Sequence, residues 1–172
     1  MSGAALPSGL GKQMNQQNST ELISEYRYSI LEIAGHNFGV EVINVREVLP
    51  MPKYTPVPNV DKCVLGVFNL RGQIYSIVDL RSLFKLNKKP ITEKNFVVLL
   101  ESEGIVFGVV VDRVLDLITL DTSKIVLPAQ DVPVQYVQYT TGYYEHKTLG
   151  NIFLLDLAAI LDTNEIKKYR YE

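Results

Sequence analysis

Chemistry in a protein chain needs nucleophiles, acids and bases, or metal ligands, and this sequence is sparing with them. It has one cysteine, Cys63, and two histidines, His36 and His146. Both histidines stand in polar, turn-like surroundings and read as exposed loop residues. Cys63 leads into an apolar segment and reads as a half-buried structural cysteine, not an activated thiolate. A lone cysteine excludes an intramolecular disulfide and any multi-cysteine zinc site. Two aspartates are better placed. Asp79 and Asp156 each precede a short apolar segment, where a carboxylate accepts hydrogen bonds from the unpaired N–H groups of a first helical turn. Capping accounts for both. Asp112 ends an apolar run and reads as a turn residue. There is no GxGxxG, no Walker loop, no GxSxG and no metal-ligand cluster. The reading is a chain without catalytic residues, cofactor or metal.

The elements that could position a site are short and mostly extended. Tyr26–Ile33 is β-branched and aromatic and predicts a strand. Gly35-His36-Asn37 predicts a turn and Phe38–Val42 a second strand. Val45, Val48 and Leu49 are spaced like one helix face, and Pro50 and Pro52 limit that helix to a short turn. Tyr54–Val57 is extended. Strands follow at Val64–Leu70 and Gln73–Val78, joined by a turn at Arg71-Gly72, with a short helix at Leu80–Phe84. The second half predicts strands at Phe96–Glu101 and Ile105–Val111 around a Glu103-Gly104 turn. Val114–Leu120 reads as extended or a short helix, and Lys124–Leu127 as a strand. Asn151–Leu155 is a last strand before a helix at Leu157–Leu161.

These halves repeat each other. Phe38-Gly39-Val40-Glu41-Val42 matches Phe107-Gly108-Val109-Val110-Val111, and Val78-Asp79-Leu80 matches Leu155-Asp156-Leu157. The second copy carries extra residues in the tyrosine-rich stretch 134–149, which is expected to form a surface loop or hairpin. Two copies of short strands with frequent turns favour two similar small β-barrels over one open sheet. The expected organisation is a flexible arm at 1–23 and one domain at 24–162. The copies within it run from about 26 to 86 and 95 to 162 and share a core. A charged tail follows at 163–172.

Composition narrows the function classes. Of the 172 residues, 47% are apolar and 21% charged, and the net charge is −2. Such a chain lacks the basic excess that nucleic-acid binding requires. No apolar run is long enough for a membrane span, and the N-terminus lacks the pattern of a signal peptide. A cytoplasmic, reducing location is expected.

The run Gly66-Val67-Phe68-Asn69-Leu70-Arg71-Gly72-Gln73-Ile74-Tyr75-Ser76-Ile77-Val78-Asp79-Leu80-Arg81 resembles the signature of the CheW family. So do Phe38-Gly39-Val40, Val45-Arg46-Glu47-Val48, Thr55-Pro56-Val57-Pro58 and Val106–Val114, in this order, over about Tyr26 to Asp162. The resemblance implies a mostly β fold of two similar five-stranded SH3-like barrels with short helices. It implies no catalytic activity. It also implies two partners, the hairpin tip of chemoreceptors and the regulatory domain of the histidine kinase CheA, with recruitment to membrane-associated receptor arrays but no insertion into the membrane.

Residue by residue, the resemblance places Arg71 at the receptor and kinase contacts, Glu47 at a functionally important acid and Val45 at a receptor contact. Gly66, Gly108, Val114 and Leu117 fall where changes in relatives disturb coupling. Asn69, Leu70 and Gly72 enter because they shape the turn that carries Arg71. Taken by themselves, the residues leave alternatives open. Arg71 can be an ordinary solvated arginine, Val45 and Leu117 can be core residues, and Gly66 and Gly108 can serve backbone geometry. A Glu47–Arg71 ion pair that presets the guanidinium is a further expectation. Three other functions compete: a coupling protein of another chemosensory-type pathway, for example surface motility; a ligand sensor walled by Tyr136, Tyr139, Tyr143 and Tyr144; and a small enzyme with a cleft between its lobes.

Overall fold

Three tight hairpins organise the chain in a computed structural model that describes residues 26–127 and 132–167. The arm expected at 1–23 and the end of the tail, 168–172, lie outside the described residues. Strands β1 (Arg27–Ile33) and β2 (His36–Glu41) turn at Ala34-Gly35. Strands β4 (Val64–Leu70) and β5 (Gln73–Val78) turn at Arg71-Gly72, and β6 (Phe96–Ser102) and β7 (Ile105–Val111) at Glu103-Gly104. Both central residues of each turn have positive φ. That is the geometry whose twist matches the flanking strands, and glycine adopts it without a Cβ penalty. The first turn therefore sits earlier than the spacing suggested, and His36 and Asn37 belong to β2.

The remaining strands are β3 (Val45–Pro50), β8 (Arg113–Thr119), β9 (Thr140–His146) and β10 (Gly150–Leu155). Helices are short: α1 (Leu80–Leu83), α2 (Leu157–Leu161) and α3 (Asn164–Lys167). Asp79 caps α1 by accepting from the Arg81 N–H at 3.0 Å, and Asp156 caps α2 by accepting from Ala159 at 3.0 Å. The capping expectation holds at both positions. The described part of the tail forms α3, separate from α2.

Two five-stranded sheets result, ordered β8-β1-β2-β10-β9 and β3-β6-β7-β5-β4. The architecture is mostly β, two similar SH3-like lobes with few short helices, as the sequence led one to expect. The sheets do not coincide with the sequence copies, however. The first takes β1 and β2 from the first copy and three strands from the second. The other takes β3, β4 and β5 from the first copy and two from the second. The joins between copies are antiparallel for β1–β8 and β3–β6 and parallel for β2–β10 and β5–β7.

Three apolar clusters follow from this layout. One fills the space between the sheets and contains Phe38, Phe84, Phe107 and Phe153; the other two line the separate lobes. Along β6, Val98 and Leu100 face the shared cluster while Val97 and Leu99 face their own lobe. Burial on both faces is why β6 and β7 read as unbroken apolar runs rather than alternating ones. Asp112 does more than turn the chain. At the passage between the sheets its Oδ2 accepts from Ala34 N–H at 2.7 Å and its Oδ1 from Asn95 Nδ2 at 3.1 Å.

Several expectations are corrected. Val45–Leu49 is strand, not helix, and its inward positions are Val45, Glu47 and Leu49. A carboxylate in the middle of that face hid the period-2 pattern. At 113–119 the extended alternative holds, and the residues form strand β8. Instead of a strand at Lys124–Leu127 there is a 3-10 turn at Thr122–Lys124 and a single bridge, Val126 to Tyr143. Cys63 is buried outright, with its thiol pushed up to about 11 by burial and by nearby Asp61, Glu165 and Asp79.

The tyrosine-rich stretch is core rather than surface. Its end forms the β9–β10 hairpin, but Tyr136, Tyr139 and Tyr143 are buried. The Tyr136 ring lies 5.6 Å from Phe38, 5.6 Å from Phe84 and 5.2 Å from Phe153. The inserted residues thus wedge an aromatic ring between the sheets. Among the described residues the Tyr136 hydroxyl is buried without a hydrogen-bond partner. Removing an unpaired buried hydroxyl recovers its desolvation cost, so Tyr136→Phe is expected to raise unfolding free energy by about 1 kcal/mol. A urea titration showing lower stability would mean that the hydroxyl is hydrogen-bonded after all.

Candidate functional site

One of the three hairpin turns, exposed at both central residues, carries an arginine where turn chemistry favours asparagine or glycine. Arg71 has φ of 51° and Gly72 of 85°. A side chain in that left-handed region costs roughly 1 kcal/mol. The turn is steadied from within, because Asn69 Oδ1 accepts from Gly72 N–H at 3.1 Å. Leu70 closes the strand at register with Gln73.

The guanidinium does not wander in solvent. Arg71 donates from Nη1 to Glu47 Oε2 at 2.9 Å and from Nη2 to Glu47 Oε1 at 2.8 Å. This is the two-pronged geometry that makes arginine–carboxylate pairs directional. The Arg71 side chain is 72% exposed and that of Glu47 32%. The hydrogen bonds from Arg71 hold the Glu47 carboxyl below the usual carboxylate range, and Glu47 in turn raises the Arg71 guanidinium. Both groups are charged at neutral pH. A pair this open to solvent adds little to folding. What it does is aim a cation.

Its position in the sheet matters. Glu47 lies on β3 and Arg71 at the end of β4, the two outermost strands of the order β3-β6-β7-β5-β4. The pair therefore spans the sheet's two margins and closes the mouth of the lobe. Beneath it is an open groove of about 450 Å³ with Leu70, Tyr75, Leu99 and Val106 among its walls. Arg46 stands on its rim and pairs with Glu101. A charged clamp over a groove lined by both apolar and polar side chains, Gln73 among the latter, suits a partner that offers both apolar and hydrogen-bonding groups.

The other expected site residues divide. Val45 and Val114, at corresponding positions of the two copies, are half-buried against the cluster between the sheets. Gly66 lies in β4 at a register shift, and a Cβ there would stand 2.3 Å from the Thr55 carbonyl oxygen. Gly108 lies in β7, where a Cβ would stand 2.8 Å from Val97 Cγ1. Close approach of neighbouring chain accounts for both glycines. Leu117, on β8 of the other sheet, is 52% exposed, so core packing does not account for it. The structure brings Glu47, Asn69, Leu70, Arg71 and Gly72 together and leaves Val114 and Leu117 on the other lobe.

Sequence reading missed the groove's walls, Tyr75, Leu99 and Val106, since each looks like any core residue. It also missed Gly142, which plays the part of Gly66 in the other sheet: a Cβ there would stand 2.6 Å from Val126 O. A second open depression, of about 510 Å³, lies beside Cys63, Lys62 and Glu165. With its thiol buried and its titration pushed up, Cys63 offers no nucleophile there at neutral pH. Among the described residues no three of His, Cys, Asp and Glu converge as metal ligands, and no helix is long and apolar enough to cross a membrane.

Comparison with known proteins adds four findings. The CheW-like domain pattern matches residues 27–165. The chemotaxis protein CheW of Klebsiella aerogenes is 30% identical over 142 residues, covering 81% of this chain and 83% of that protein. Protein PilI of Pseudomonas aeruginosa is 30% identical over 105 residues, 60% of this chain and 59% of its own. The fold matches the crystal structure of scaffolding protein TtCheW from Thermoanaerobacter tengcongensis with a TM-score of 0.73 at 23% identity. That match covers 82% of this chain and 95% of the other.

Proposed function

This chain belongs to the CheW-like domain family, and we propose that it is a non-enzymatic adaptor that couples chemoreceptors to the histidine kinase CheA. The observation that carries this reading is the Glu47–Arg71 clamp, an aimed guanidinium on a strained turn over a groove of mixed polar and apolar lining. Nothing in folding calls for an arginine at that turn, and its ion pair is too exposed to stabilise much. Arginine beside apolar surface is instead a common anchor of protein interfaces.

The mechanism is bivalent docking. One surface meets the receptor's hairpin tip, the other the kinase regulatory domain, and holding both raises the local concentration of kinase at the receptor. Arg71, Glu47 and the groove form one of these contacts. Exposed Leu117 on the other lobe marks a candidate for the second. The adaptor works in the cytoplasm, at the face of receptor arrays. A second reading keeps the chemistry and changes the pathway to another chemosensory-type system, such as one controlling surface motility. The likeness to a relative that carries another name supports it.

Calorimetric titration of the chain with the cognate kinase regulatory domain and, separately, with a receptor tip tests the reading. The wild type is expected to bind both. Arg71→Ala is expected to lose about 2 kcal/mol or more toward one of them, the scale of an interface hot spot. Its unfolding midpoint should stay near that of the wild type. A wild type that binds neither partner would remove the proposed function while leaving the fold intact.

A further inference from the structure

Four strand ladders join the two sequence copies: β1–β8, β2–β10, β3–β6 and β5–β7. Neither copy can complete a sheet alone. Each needs the edges that the other presents, and any second molecule of this chain presents the same edges. The chain crosses from one copy to the other once, through residues 85–95, most of which are exposed. Exchange of second copies between two molecules would reproduce every ladder and every core contact. Only the path of this linker would change.

The linker's folded-back path is held at both ends. At its start the Leu86 N–H donates to Arg81 O at 2.9 Å, and Arg81 Nη1 donates to the Lys89 carbonyl at 2.8 Å. Arg81 is itself fixed by Asp79, through Nε to Oδ1 at 2.9 Å and Nη2 to Oδ2 at 3.0 Å. At its far end Asn95 Oδ1 accepts from Thr92 N–H at 2.9 Å, while Asn95 Nδ2 donates to Asp112 Oδ1. The buried arginine thus reaches from the helix cap to a point eight residues on and pins the reversal of the chain.

We propose that the Asp79–Arg81–Lys89 clamp keeps the pairing of the two halves intramolecular, and that releasing it joins the chain to a second copy of itself by exchange of C-terminal halves. Glu47 and Arg71 both lie on the first copy, so an exchanged dimer carries two intact clamps. It would be a divalent form of the same adaptor, with twofold presentation of the partner site. The exchange itself does not depend on the coupling function.

The test removes Asn87–Lys89, since a hinge too short to fold back forces exchange. A reporter pair, Glu32→Cys with Arg113→Cys in a Cys63→Ala background, spans the β1–β8 ladder at directly opposed positions. Its disulfide is intramolecular in the monomer and intermolecular after exchange. The full-length linker is expected to give the single-chain mass of 19.4 kDa and a single-chain band on denaturing, non-reducing electrophoresis. The shortened linker is expected to double both. A folded shortened variant that keeps the single-chain band overturns the proposal. Should that variant fail to fold, Arg81→Lys decides. It keeps the charge opposite Asp79 but loses the reach to Lys89, and after concentrated refolding the dimer fraction should rise about tenfold, the worth of one charge-assisted hydrogen bond. An unchanged fraction overturns the clamp.

Discussion

Arg81→Ala is expected to lower the unfolding free energy by about 3–5 kcal/mol, because it strands a buried carboxylate. Asp79 is 2% exposed and Arg81 5%. The guanidinium meets both carboxylate oxygens, and the same carboxylate caps α1 by accepting from Arg81 N–H. Those bonds hold the guanidinium above its ordinary titration range. Removing the arginine leaves a charge that the surrounding apolar residues cannot solvate, and frees the linker at Lys89 as well. Replacing both members at once, Asp79→Asn with Arg81→Met, should cost clearly less, since no charge is left buried. Urea titrations of the two variants check this. A loss below about 1 kcal/mol for Arg81→Ala, the range of an exposed pair, would mean that water reaches Asp79.

The second large effect is steric. Gly66→Ala is expected to destabilise by about 3 kcal/mol, the upper range for forced overpacking. The added Cβ would meet Thr55 O at 2.3 Å, Thr55 C at 2.8 Å and Pro56 Cα at 3.0 Å, all of them backbone. Backbone cannot rotate away as a side chain can. Thr55 also covers the edge of β4, exchanging hydrogen bonds of 2.8 and 2.9 Å with Val67. Pushing it off exposes that edge to other chains. Because β4 ends in the Arg71 turn, partner affinity should fall along with stability, whereas Arg71→Ala should lower affinity alone. Thermal unfolding of Gly66→Ala beside Gly108→Ala is the sharpest comparison. Gly108's nearest obstacle is a valine methyl, so its variant should suffer less. Equal losses would show that the Thr55 segment yields easily.

The two capping aspartates and the turns at Arg71-Gly72 and Glu103-Gly104 were legible because their causes are local. A carboxylate before an apolar turn, or a glycine between two β-branched runs, acts within three or four residues of chain. The family resemblance was legible for the same reason, as it rests on a continuous run around one hairpin. The candidate site was legible only in part. Arg71 stood out by its turn, but Glu47 broke the alternation of β3 and made a strand look helical. The groove's apolar walls carry no local mark at all.

What only the tertiary structure decided is which strand completes which sheet. The repeat showed two copies, but not that each lends strands to the other's lobe. Strand edges of similar sequence do not encode their partner; packing of both faces against separate cores does. Tyr136 became part of the cluster between the sheets for that reason, and Glu47 reached Arg71 across 24 residues of chain because the sheet curls its two margins together. The sequence by itself determined the turns at Arg71-Gly72 and Glu103-Gly104, the caps and the family. Closure of the lobes, and with it the clamp, came from long-range burial that no local pattern records.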